Sequence, residues 1–295
     1  MNDSGRIRPA VLAWSAVAVI LLAVVALVTY ALTHVTTPAT VTQTARTSPA
    51  VLATLSTVPL STFDEVGVTV PGADLTAPQV VTGPAPRSAG GRPEVLAVGA
   101  EYCPFCAAER WPLVVALARF GRFTVLHDAT SSAQSVFPGT PTFSFAAARY
   151  TSAYVTFTGV ELYSDQIGAD GRFIRIATLT PGQAAQVARY GATGVPITAP
   201  FVDVAGRLVT TTSAFSPALL AGKSQSQIAG EVAEPRAPAS DTASDPPTGQ
   251  AIVAAANQLS AGICSATGQQ PASVCRSKGV RAADQSLGLP APPAA

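Results

Sequence analysis

Residues 101–111 read EYCPFCAAERW, with Cys103 and Cys106 flanking a Pro-Phe dipeptide. The pair lies between EVLAVGA, a short apolar run with the character of a buried strand, and PFCAAERWPLVVALARFG, a run patterned as a helix and closed by Gly121 at a C-cap position. If Cys103 starts that helix, its thiolate faces unpaired backbone N–H groups and the positive end of the helix dipole. Such surroundings lower a thiol pKa from about 8.5 into the range of about 3.5–7.5. Pro104 suits the first helical position, because its missing N–H would have no partner there. Cys106 falls in the first turn, facing inward. The spacing therefore predicts an exposed nucleophile, Cys103, and a sheltered resolving thiol, Cys106.

Two other chemistries compete for the pair. A zinc site needs four ligands. Cys264 and Cys275 could complete the set, but ten residues between them make a poor second knuckle, and neither His34 nor His127 has a ligand-like neighbour. No metal and no cofactor is expected. A permanent disulfide is the other rival, although so small a loop gains little as a staple.

Compartment decides what such cysteines do. Ala10–Thr33 carries no charge, and its 24 residues would span about 36 Å as a helix, enough for a hydrocarbon core of about 30 Å. Arg6 and Arg8 precede it and the next charge is Arg46, which predicts a single-pass cell-membrane protein with its N-terminus cytoplasmic. A cleaved signal peptide is the alternative, with a shorter apolar region of about 7–15 residues. Both readings export the rest of the chain, where disulfides persist. The charge balance, 18 Lys and Arg against 17 Asp and Glu, lacks the basic clusters that a nucleic-acid partner requires.

The expected order is a cytoplasmic N-terminus (1–9), a transmembrane helix (10–33), a Thr- and Pro-rich stalk (34–59), an extracytoplasmic domain (60–280) and a disordered tail (281–295). Within the domain, FTVLHD and YVTFTGVELY read as strands and PGQAAQVARYG as a helix from Pro181 to Gly191. ITAPFVDVAGRLVTTT reads as two strands joined by an Ala-Gly turn. SPALLAGKSQSQIAGEVA and QAIVAAANQLSAGIC follow as helices. Alternating strands and helices point to the α/β class. Four cysteines allow three pairings, of which local pairing is the simplest. A Cys264–Cys275 bridge would close a loop of about a dozen residues, be worth about 3 kcal/mol and pin the last helix.

With EYCPFC between a strand and a helix, the chain resembles the thioredoxin-like superfamily. That resemblance implies a sheet flanked by helices, a core over 93–233 with an insertion at 129–179, and a cis-proline opposite the redox pair. Gly194-Val195-Pro196, just before the predicted hairpin, matches it, so Pro196 is expected to hold a partner's backbone. GAEYCPFCAAERWPLVVALARFG, PGTPTFSF and AANQLSAGIC…VC are also similar to the family called domain of unknown function 929, membrane-anchored thioredoxin-like proteins frequent in actinobacteria. This closer resemblance spans about residues 60–280 and implies fold and placement but no reaction.

One departure matters. Thioredoxins keep a buried carboxylate six residues before the first cysteine, and that position is Ala97 here. Glu101 and Glu109 are candidates for proton handling, against a reading as solvated carboxylates. Arg110 either snorkels or pairs with a carboxylate. Pro112 either kinks the helix or breaks it. Trp111 either lines the site or fills the core. His127-Asp128 would need a third group to act as a dyad. Together these readings predict a membrane-anchored thiol–disulfide oxidoreductase, leaning to oxidase or isomerase, acting on exported protein thiols and disulfides with a separate redox partner. The alternative is a non-enzymatic exported binding module with the Cys103–Cys106 disulfide locked.

Overall fold

A computed structural model describes residues 21–26, 29, 45–82, 88–190, 199–235 and 247–290. The chain divides into two units, residues 1–40 and 41–295. In the first unit, residues 21–26 and 29 are helical. The transmembrane expectation is corrected here: among the described residues no helix is long and apolar enough to cross a membrane. The described run of residues 21–26 rises only about 9 Å, against the roughly 30 Å of a hydrocarbon core. The rest of 10–33 lies outside the described residues.

The second unit opens with helices α1 (Pro49–Ser56) and α2 (Leu60–Val66). α1 falls within the expected stalk, and its start and packing are both written in sequence. The Ser48 hydroxyl accepts from the Ala50 N–H, Pro49 stands in the first turn, and Val51 and Leu55, four apart, are buried in the core. Strands β1 (Gln79–Val80), β2 (Ser88–Ala89) and β3 (Arg92–Gly99) follow, and β3 leads into helix α3 (Pro104–Ala118). α3 runs through Pro112 without a break. Its C-cap is Arg119, and Gly121 instead opens β4 (Gly121–Thr130). A Cβ at Gly121 would stand 2.3 Å from the Thr151 carbonyl oxygen, so the glycine there serves strand contact and does not end the helix.

Next come β5 (Pro141–Ser152), β6 (Thr156–Glu161), β7 (Tyr163–Ile167), β8 (Phe173–Arg175) and α4 (Pro181–Arg189). α4 starts on a Thr180–Gln183 capping box. The hairpin β9 (Phe201–Val204) and β10 (Leu208–Thr210) turns through Ala205, Gly206 and Arg207, the first two at positive φ, and the Arg207 N–H donates to the Val204 carbonyl at 2.8 Å. A short 3-10 turn at Pro217–Leu220 precedes α5 (Gln225–Ala233), and Gly222 at φ 71° separates the two. Then follow α6 (Thr248–Ala266), α7 (Ala272–Cys275) and α8 (Lys278–Leu287). α8 occupies the start of the expected disordered tail, with Val280 and Ala283 buried and Leu287 packed against the core.

β3 sits inside the main sheet, whose order is β1-β10-β9-β3-β2, with β6 also paired to β3. β6 runs parallel to β3, with Gly99 opposite Glu161, and β9 runs antiparallel, with Val98 opposite Phe201. The stretch 129–179, expected as an insertion, thus supplies a strand of the main sheet. β4 and β5 form a separate antiparallel pair, as do β7 and β8. The result is a mixed α/β fold with helices flanking a sheet, and its largest core cluster draws on α3, α5 and α6. α6 is buried along almost its whole length, and Cys264 near its end is bonded to Cys275.

This bridge closes a loop with a sequence separation of 11. Replacing Cys275 by Ser should lower unfolding free energy by about 3 kcal/mol in non-reducing urea denaturation. A reductant should bring the parent down to the variant. Equal stabilities before reduction would remove the bridge's structural role.

Candidate functional site

The end of β3 delivers the chain to α3 through a turn in which the Cys103 N–H donates to the Ala100 carbonyl at 3.2 Å. Cys103 is the N-cap of α3, with φ −82° and ψ 119°, and Pro104 takes the first turn. The Cys103 sulfur accepts from the Cys106 backbone N–H at 3.2 Å. It stands where a Ser or Asp oxygen would normally cap a helix. Both cysteines are free thiols.

Their electrostatics differ. A hydrogen bond from the Cys106 thiol is the largest influence pulling Cys103 below the ordinary thiol range; burial opposes it, and the first-turn N–H groups and Arg110 assist. Cys106 is pushed well above that range, first by burial and then by the hydrogen bond it gives to Cys103. The ionisable sulfur is therefore Cys103.

Exposure departs from expectation. Cys103 is 1% exposed and Cys106 2%. A roof over Cys103 explains this. The loop after β4 is tied down where the Ser132 N–H donates to the Tyr102 carbonyl at 3.0 Å, and Phe137 sets its ring edge-on to Phe105. From the β7–β8 hairpin, Phe173 stacks on Tyr102 with centroids 4.1 Å apart. Under this roof lies a cavity of about 330 Å³ bordered by Tyr102, Cys103, Phe105, Val136 and Phe173. A reagent reaches the sulfur through a chamber walled in part by the rings of Tyr102, Phe105 and Phe173.

Beneath the pair the surroundings become charged. Arg110, one turn after Cys106 on α3, is buried, and its guanidinium forks onto Glu161 of β6 at 2.9 and 2.6 Å. The same Nη2 donates to the Ala100 carbonyl at 2.8 Å. Glu161 also accepts from the Phe145 N–H at 3.2 Å. Arg110 therefore pairs and does not snorkel. A cavity of about 10 Å³ borders Cys106, Glu109, Arg110 and Glu161, the lower limit for one water molecule.

The solvated reading of Glu101 and Glu109 is overturned, since they are 4% and 1% exposed. Glu101 accepts from the Ser144 hydroxyl, and burial is the chief cause raising its pKa. Glu109 accepts from the Ala214 N–H at 2.8 Å and from the Thr210 hydroxyl at 3.4 Å. Burial pushes its carboxyl up to about 8. Trp111 is fully buried against Phe143, its indole N–H donating to the Pro141 carbonyl at 2.9 Å, so it fills the core. Ala97 lies buried within β3. Pro196, the expected cis-proline, lies outside the described residues. Sequence reasoning missed Glu161, a single charge between Val160 and Leu162 in an apolar strand pattern. A charge so placed demands a buried partner, and that was the available signal.

A family model described as Domain of unknown function (DUF929) matches residues 79–265. No curated protein and no solved structure matches the chain.

Because Glu109 titrates near 8 when folded, it holds an extra proton relative to the unfolded chain between about 4.5 and about 8. Its stabilising contribution is full below that window and is lost as pH rises through it. Between pH 5 and pH 9 the parent should lose on the order of a few kcal/mol from this group. Glu109→Gln, which keeps an acceptor for Ala214, should lose correspondingly less in urea denaturation at the two pH values. Parallel losses would show that Glu109 does not carry a proton in the folded core.

Proposed function

The chain belongs to the DUF929 family, and we propose that it is a thiol–disulfide oxidoreductase of thioredoxin-like type, working through Cys103 and Cys106 on protein thiols and disulfides outside the cytoplasm. The observation that carries the reading is Cys103 capping α3, its sulfur held by the Cys106 N–H at 3.2 Å. A strand-to-helix junction of this kind presents one ionisable sulfur with a second thiol one turn deeper. The Cys264–Cys275 bridge supports an oxidising compartment.

The exchange runs as follows. Cys103 thiolate attacks one sulfur of a partner disulfide; that S–S bond breaks, a mixed disulfide forms, and the partner's other sulfur leaves as thiolate and takes a proton. Cys106 loses its proton and attacks the Cys103 sulfur. The Cys103–Cys106 bond forms and the partner leaves as its second thiolate. Two electrons have passed from the pair to the partner. Run backwards, the same steps oxidise a partner dithiol, after which a second disulfide re-oxidises the pair. Glu109, which borders the small cavity beside Cys106, and Glu101 are buried and biased to the protonated form, and are the groups assigned to exchange Cys106's proton. Lack of a carboxylate at Ala97 and a Pro-Phe dipeptide between the cysteines favour oxidation or isomerisation over general reduction.

The near-complete cover over Cys103 favours a second reading, a binding module of the same fold in which the pair does not turn over. Cys106→Ser separates the two. In the oxidoreductase it accumulates mixed disulfides through Cys103, visible on non-reducing gels, cleared by reductant and absent when Cys103 is also Ser. Cys103 in that variant should also alkylate with a midpoint below that of an ordinary thiol. No trapped species, with Cys103 alkylating as an ordinary thiol, would leave only the binding module.

A further inference from the structure

The buried arginine beneath the pair has one more donor than its surroundings use. Its Nε and Nη2 are taken by Glu161 and the Ala100 carbonyl, while Nη1 is buried and has no partner among the described residues. A charged donor left so is costly, so a strong acceptor nearby would be well received. One is present. Arg110 follows Cys106 by four residues, on the same face of α3. Both point at Gly99: a Cβ built there would stand 3.4 Å from the Cys106 sulfur and 3.5 Å from Arg110 Nη2. Sulfur and guanidinium thus flank the same backbone position.

We propose that Arg110, clamped by Glu161, is a charge-setting residue that stabilises the reduced Cys103–Cys106 pair and so makes it an oxidant toward its partners. This rests on the thiol–disulfide reading above. Only the reduced and mixed-disulfide states carry an anionic sulfur, whereas in the closed disulfide neither sulfur is charged. A fixed cation beside the pair therefore favours reduction and raises the potential. Neighbouring carboxyls offset it only in part. Glu161 is bound to Nε and to the same Nη2 that faces Gly99, and its Oε1 also accepts from the Phe145 N–H. Burial biases Glu101 and Glu109 toward their neutral forms. Arg110 also pulls both thiols downward, in keeping with the geometry.

The test is redox equilibrium of the full chain with reduced and oxidised glutathione, read by thiol alkylation, with folding checked by circular dichroism. Arg110→Gln should oxidise at least tenfold more readily, equivalent to a potential lower by about 30 mV. Glu161→Gln should shift the other way, because the guanidinium loses its neutralising partner. A purely structural role would move both variants in one direction. Arg110→Lys should recover most of the parent value. Should Arg110→Gln fail to fold with Glu161 buried alone, the double variant Arg110→Gln/Glu161→Gln removes both charges of the pair and should oxidise at least tenfold more readily than Glu161→Gln alone. Unchanged potentials on removal of Arg110, or equal shifts in both single variants, overturn the proposal and leave the oxidoreductase reading standing. A parent whose pair never exchanges with glutathione overturns that reading itself.

Discussion

The hydrogen bonding of β3 on both edges is the constraint on which the rest depends. Parallel β6 fixes one side and antiparallel β9 the other, so the end of β3 is held on both edges. Everything chemical in the second unit is placed from that end. Glu161 reaches Arg110 because β6 puts it opposite Gly99. Cys103 caps α3 because the chain turns there at once, its N–H returning to Ala100. A one-residue slip of β6 would carry Glu161 to the other face of the sheet and leave Arg110 buried without its counter-charge.

A gradient of polarity runs through the site. Above Cys103 are aromatic rings, and below Cys106 are a guanidinium and three carboxyls, all buried. A fold pays for burying charge unless each group finds a partner, and here each finds at least one. Glu161 takes Arg110, Glu109 takes the Ala214 N–H, and Glu101 takes Ser144. The apolar half lowers the local dielectric and makes the charged half more effective on the sulfurs.

Much of this was legible. EVLAVGA, the cysteine spacing and Pro104 together located the strand, the N-cap and the helix, and Val-Ala-Gly located the hairpin turn. These are local signals, written within a few residues of where they act. Other features are long-range and leave no such mark. α1 was hidden because Thr and Pro dominate residues 34–59, although Ser48, Pro49 and the Val51–Leu55 spacing were in plain view. The role of Glu161 depends on a strand pairing about sixty residues from β3, which no window of sequence contains. The cover over Cys103 depends on a loop and a hairpin that reach it only once the sheet has formed. The long apolar run near the N-terminus read as a spanning helix on composition alone, and the described residues there amount to less than two helical turns.

The lid of rings over Cys103 separates two clocks. In the exchange proposed above, a slender electrophile that slips through the chamber would sample how readily the sulfur ionises, whereas a polypeptide would have to wait for the Ser132 N–H to release the Tyr102 carbonyl and for Phe173 to swing aside. Acidity and admission would then be independent controls over the same atom, and the slower of them would set the pace for a macromolecular client.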